Sequence, residues 1–204
     1  MLFAALLVAG CAGNVRQSDA EYVVQQYDTL YSIAWRNNLD YREFARWNGI
    51  GADYRIRVGQ RLRLTPPAET PAPPPVGTPA PSGGPVQWNW PTDRHGQPVP
   101  SRSGGLLFVG QPGQQVRAAA RGRVVYTGSG IRGYGQLIII KHSDTWLSAY
   151  GYNDNVRVRE GQDVSGGEPI ATMGRGPHEA AALYFEIRNN GRTTDAEVLL
   201  PGAK

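Results

Sequence analysis

Apolar positions change their spacing several times along the chain, and each change marks a boundary. The run Leu2–Gly10 is continuous, uncharged and too short for a membrane-spanning helix. From Tyr22 to Leu64 two periodicities alternate. Tyr22-Val23-Val24 reads as a short strand, and Leu30, Ile33 and Ala34 recur at helical spacing behind the capping residues Asp28 and Thr29. A second helical run follows Asp40 with Phe44, Ala45 and Trp47 as its apolar positions, and Asn48-Gly49 stops it. Arg61–Leu64 closes the unit as a strand. The pattern predicts a small α+β domain, β-α-α-β, over 22–64.

No period survives over 65–86, TPPAETPAPPPVGTPAPSGGPV, where nine of 22 residues are proline. Such composition favours an extended polyproline-like linker. Beyond it, over 87–204, apolar runs of four to eight residues alternate with glycine turns: 122–128, 135–142, 146–152, 169–173 and 183–188. Short β-branched segments at this spacing predict an all-β, antiparallel domain of sandwich or barrel type. Its single core is expected to hold Val124, Leu137, Ile139, Ile170 and Phe185. The chain thus reads as two small domains.

Composition narrows the function classes. Glycine (26) and proline (16) disfavour a mostly helical protein. The net charge of +4 comes without any dense basic block, so nucleic-acid binding gains no support. Cys11 is the sole cysteine, which rules out an intramolecular disulfide. Val8-Ala9-Gly10-Cys11 resembles a bacterial lipobox, with 1–10 as the signal peptide and 11–21 as a tether carrying a lipidated Cys11. No basic residue precedes the apolar run, and Ala12 follows the cysteine. The missing basic start departs from such a signal, while the lipobox and Ala12 imply an outer-membrane lipoprotein facing the periplasm, held to the membrane by its acyl chains.

The strings YDTLYSIAWR, FARWNGI and IRVGQRLRL closely resemble the LysM domain over the whole of 22–64. Members bind the N-acetylglucosamine-containing glycan of peptidoglycan or chitin. The resemblance places Asp28, Thr29 and Leu30 on one wall of the glycan groove and Asn48, Gly49 and Ile50 on the other. Tyr27 stands where the family usually has glycine.

GRVVYTG, RGYGQLIIIKH, LSAYGYN, EGQDVSGGEPIATMG and LYFEIR resemble the LytM, or M23, zinc-endopeptidase domain across nearly all of 88–201. The likeness is greatest to the degenerate branch that includes NlpD and EnvC, which the opening Trp88-Asn89-Trp90-Pro91 also fits. Active members hold zinc with a His, an Asp four residues later and the last His of a His-x-His strand; two further histidines assist the bound water. Aligned on this sequence, those five positions are Ser103, Leu107, Tyr152, Ala182 and Tyr184. Leucine and alanine cannot ligate, and serine and tyrosine ligate poorly at neutral pH. A catalytic zinc needs three protein ligands, so no metal, no cofactor and no catalytic residue is expected. The surviving histidines, His95, His142 and His178, lie far apart; His142 matches a family histidine that need not bind metal, and His178 is out of register.

A groove without a metal remains. Alternation along 183–188 puts Leu183, Phe185 and Ile187 inward and Tyr184, Glu186 and Arg188 on the opposite face. The same alternation predicts that Tyr150 and Tyr152 join them. Leu137, Tyr150, Tyr152, Tyr184 and Arg188 are therefore the candidate partner-binding set, since Tyr and Arg dominate binding hot spots. The resemblance implies a non-enzymatic activator of periplasmic N-acetylmuramoyl-L-alanine amidases, acting by capture of the partner's autoinhibitory helix. The competing reading is a structural lipoprotein that ties the outer membrane to peptidoglycan.

Overall fold

A computed structural model describes residues 21–67 and 85–202, apart from 95 and 102. The expected signal peptide, the lipidated Cys11, most of the proline-rich linker, His95 and the side chain of His178 lie outside the described residues.

The first domain has the expected element order: β1 (Glu21–Val23), α1 (Leu30–Arg36), α2 (Tyr41–Trp47) and β2 (Arg61–Arg63). β1 and β2 pair antiparallel, with Tyr22 opposite Leu62. Of the two caps proposed for α1, Thr29 is the one used. Its hydroxyl accepts from the Ser32 amide while the Ser32 hydroxyl accepts from the Thr29 amide, a reciprocal capping box. Asp40 caps α2 by accepting from the Arg42 and Glu43 amides. Both helices have only seven residues, too short to persist alone, so tertiary burial of Leu30, Ile33, Trp35 and Phe44 holds them.

The second domain contains one large antiparallel sheet. Its strands are β3 (Val99–Pro100), β4 (Leu106–Val109), β5 (Gln115–Arg117), β6 (Gly122–Gly128), β7 (Gln136–Lys141), β8 (Trp146–Val156), β9 (Asp163–Val164), β10 (Pro169–Arg175), β11 (Ala181–Asn189) and β12 (Arg192–Thr194). A short helix, α3 (Ala196–Leu199), follows. The strand order is β3-β4-β11-β10-β8-β7-β6-β9, with β12 on β11 and β5 on β10. β8 pairs with β7 along most of its length. Along its other edge it pairs first with β11, up to Gly151, and then with β10 from Asn153. The residue at this change of partner is Tyr152, at φ +60°.

The all-β expectation holds, but the single core does not. Val124, Ile170 and Phe185 lie in the inner core with Ile138, Ile140, Tyr150 and Leu183. Leu137 and Ile139, expected there too, face the other way. They join Leu147, Ala149, Tyr126 and Ile131 in a cluster continuous with the first domain's own core. β7 reads QLIIIK, apolar on both faces. Period-two alternation then fails to say which face meets the core, because both are buried. The first domain covers the outer face, and each aliphatic side chain so buried stabilises by about 1.5–3 kcal/mol over its exposed state.

Polar contacts set the docking register. The Tyr41 hydroxyl donates to the Asp144 carbonyl at 2.9 Å, and Arg42 donates to Asn190. The β11–β12 hairpin turns through Asn190-Gly191, both at positive φ, as an Asn-Gly hairpin should. At Gly191 a Cβ would lie 2.5 Å from the Asp40 nitrogen. Gly191→Val should therefore separate the domains without unfolding the sheet, since a branched residue at positive φ and the clash with backbone both oppose docking. Small-angle scattering should show a larger radius of gyration; an unchanged radius would mean that Gly191 does not control docking.

His142 closes the other side of the sheet. Its ring donates from Nδ1 to the Arg121 carbonyl at 2.8 Å, and its Nε2 lies 2.7 Å from the Ser148 hydroxyl. Trp88 packs edge-on against it. Burial pushes the imidazole down to about 4, only partly opposed by the bond to Arg121. The folded pKa lies below the unfolded value near 6.5, so the folded chain binds fewer protons. The stabilisation is complete above about pH 6.5, is lost as pH falls toward 4, and amounts to about 3 kcal/mol. Urea midpoints should fall across that window in the wild type and fall much less in His142→Gln. Equal slopes would refute this linkage.

Candidate functional site

Four elements converge at the second domain's cleft. The β3–β4 turn brings Ser103, β4 brings Leu107, β8 brings Tyr152, and β11 brings Ala182 and Tyr184. The register does the rest: Leu107 lies opposite Tyr184, and Tyr184 opposite Gly151. Small residues allow the close approach. A Cβ at Gly105 would sit 2.8 Å from the Tyr184 ring, and one at Gly176 would sit 2.6 Å from the Ala182 methyl and 3.4 Å from Tyr152. Tyr134 meets Tyr184 edge-on at 5.1 Å, and Tyr152 meets it at 6.5 Å.

These residues do not fit a zinc ion. Leu107 and Ala182 offer no donor atom, and the Tyr184 hydroxyl is already committed to Glu186 Oε2 at 2.6 Å. Burial, reinforced by the Glu186 charge, raises the Tyr184 phenol far above its ordinary value, which keeps it protonated. Among the described residues, no three His, Cys, Asp or Glu side chains cluster as a metal site.

Tyr184, Glu186 and Arg188 share the outer face, as alternation predicts. They form one network: Glu186 accepts from Tyr184, from Arg188 Nε at 2.7 Å and from Thr193 at 2.6 Å. Arg188 then donates to the Trp35 carbonyl at 2.9 Å and lies under the Trp35 ring, 3.6 Å from its centroid. Trp35 belongs to α1 of the first domain, so that domain roofs the Arg188 end of the cleft. A cavity of about 510 Å³ remains beside the roof, lined by Ser103, Arg132, Tyr134, Trp35 and Arg188 among others.

Two of the five expected partner-binding positions take different places. Tyr150 points into the inner core and is fully buried; its hydroxyl accepts from the Ala119 amide at 2.7 Å. Tyr152 stays at the cleft, half-buried, with its hydroxyl on the Gly133 carbonyl at 2.8 Å. The irregularity at Tyr152 resets the alternation, which is why the two tyrosines part. Leu137 lies beneath the first domain rather than in the open cleft. Tyr134 and Trp35 complete the cleft and were not among the expected residues. Tyr134 sits in a glycine-rich turn without period, and nothing in the sequence couples Trp35 to a strand 150 residues away.

A second concavity, about 1260 Å³, runs along the first domain between the β1–α1 connection and the segment after α2. Asp28, Thr29, Asn48, Gly49 and Ile50 line it as expected; Leu30 does not, being fully buried. The side chains of Asp28 and Asn48 are occupied with structure. Asp28 accepts from Tyr22, the Gln25 amide and Arg36, and Asn48 bridges the Phe44 carbonyl to the backbone of Arg63. What this wall offers a ligand is mostly backbone, at Thr29, Gly49 and Ile50.

The family models agree with this division. The LysM domain model matches residues 22–65, and the Peptidase family M23 model matches 101–196. The chain is 37% identical to a Pseudomonas aeruginosa protein named lipoprotein NlpD/LppB homolog, covering 90% of this chain and 78% of the relative. It is 33% identical to the murein hydrolase activator NlpD of Salmonella typhimurium, covering 88% and 68%. A crystal structure titled as a putative peptidase M23 from Pseudomonas aeruginosa superposes with a TM-score of 0.52 at 22% identity, covering 61% of this chain and 53% of that one, which supports the fold. With a LysM domain, an M23 domain and extended likeness to full-length relatives, the chain belongs to the NlpD family of lipoproteins.

Proposed function

We propose that this protein is a non-enzymatic activator of periplasmic N-acetylmuramoyl-L-alanine amidases, anchored through Cys11 in the outer membrane and bound to peptidoglycan through its first domain. One observation carries the reading. The five positions that the resemblance aligns with the zinc site carry Ser103, Leu107, Tyr152, Ala182 and Tyr184, and strand pairing sets Leu107 beside Tyr184 while Gly176 lies against both Ala182 and Tyr152. The peptidase scaffold keeps a shaped groove while its residues lack metal-binding chemistry. The half-buried rings of Tyr134 and Tyr152 offer rigid contact area with polar handles, the residue type that dominates binding hot spots.

The mechanism that the family likeness implies is capture of a helix that inhibits the amidase, which would shift the amidase toward its open form by differential affinity. Tyr134 and Tyr152 are reachable with the domains docked. Tyr184, Arg188 and Leu137 of the expected set are buried, and use of Arg188 and Leu137 requires the first domain to move aside. Arg188 is therefore a poor single-site probe: removing it would strand Glu186 as a buried charge, at a cost of about 3–5 kcal/mol. Tyr152→Asn is cleaner, because asparagine tolerates the left-handed backbone at that position.

Dye release from labelled peptidoglycan by an amidase of the same organism measures the activity. Wild-type chain should stimulate release, and Tyr152→Asn should need roughly thirtyfold more protein for the same stimulation, as loss of a hot spot would require. Phe185→Ala should abolish stimulation by unfolding, since a buried phenylalanine truncation costs about 3–5 kcal/mol. No stimulation by the wild type would sink the activator reading and leave the membrane–peptidoglycan tether. One equivalent of zinc with EDTA-sensitive peptide cleavage would make the protein an enzyme instead.

A further inference from the structure

The concavity on the first domain does not end at that domain's boundary. Its far side is built by Val125, Glu160 and Gly161 of the second domain. This wall is held in place by backbone bonds: the Gly161 amide donates to the Val124 carbonyl at 2.8 Å, and the Val124 amide to the Gln162 carbonyl at 2.8 Å. Within it, Glu160 Oε1 accepts from the Thr127 amide at 3.1 Å. That bond aims the carboxylate, and Oε2 has no hydrogen-bond partner among the described residues. Opposite it stand the backbone of Gly49 and Ile50 and the half-buried ring of Tyr54.

We infer that the glycan groove is composite, with Glu160 of the second domain as a ligand-binding residue for N-acetylated amino-sugar chains. The inference rests on the glycan reading of the first domain and adds a residue that lies outside the LysM segment. The chemistry follows from the groups present. A carboxylate with a spare oxygen takes donors, and sugar hydroxyls and acetamido N–H groups are donors, while Arg55 and Arg57 in the same lining can donate to sugar oxygens. A wide groove with a few fixed polar groups and an aromatic side suits an extended, largely neutral chain. A ligand touching both domains also binds the docked form better than the separated one, so occupancy stabilises docking. Glycan binding and exposure of Arg188 should then oppose each other.

Calorimetry with a β-1,4-linked N-acetylglucosamine pentamer on the chain comprising 21–204 tests this. Glu160→Ala, at an exposed position, should weaken binding about tenfold, the worth of a hydrogen bond to a charged group. The pentamer should slow amide hydrogen exchange over 122–128 and 159–162 as well as over 48–57. If the pentamer binds, Glu160→Ala binds equally well and protection stays within 48–57, the composite groove is wrong and the first-domain glycan site stands. If neither the pentamer nor isolated peptidoglycan binds the wild type, the glycan reading itself falls and takes this inference with it.

Discussion

Glu186 and Arg188 are a buried ion pair at the centre of the interdomain contact, with side-chain exposures of 0% and 3%. Taking two charges out of water costs several kcal/mol each, and only close geometry with further hydrogen bonds offsets it. Here Tyr184 and Thr193 complete Glu186, while the Trp35 carbonyl and ring complete Arg188. The last two partners come from the other domain. The outer face of the sheet is thus satisfied only with the first domain seated on it, and so are the apolar side chains of Leu137, Ile139 and Leu147 beside the pair.

That constraint organises both candidate sites. Seating α1 over Arg188 shortens the metal-free cleft and leaves Tyr134 and Tyr152 as its reachable aromatics. The same seating brings the β6 edge and the turn at Glu160 against the first domain's groove. One rigid-body contact thus helps to line both concavities. Under the functions proposed above, wall binding and partner binding would be coupled without any change inside either domain, because both would act on the same docking equilibrium.

Tyr184 is committed to the same packing. Tyr184 fills space near Gly105 and is tied to Glu186, so the position is occupied by a side chain with a structural role. Restoring one ligand there would leave Glu186 short of a partner. Tyr184 thus supports the Glu186–Arg188 pair on which the interdomain contact rests.

Much of this was legible in the sequence. Capping residues, helical spacing and the Asn48-Gly49 stop specify the first domain, and glycine-bounded β-branched runs specify the strands, because these are local properties of the chain. The alternation of 183–188 assigned its two faces correctly for the same local reason. It failed where geometry is not local. Tyr150 and Tyr152 part because the strand changes partner between them, and β7, apolar on both faces, carries no sign of what covers each. Above all, the contact of Trp35 with Arg188 and the approach of Glu160 to the first domain's groove join residues more than a hundred positions apart. Only the docking of two folded domains, driven by burial of an apolar sheet face and completed by one ion pair, decides which side chains meet there.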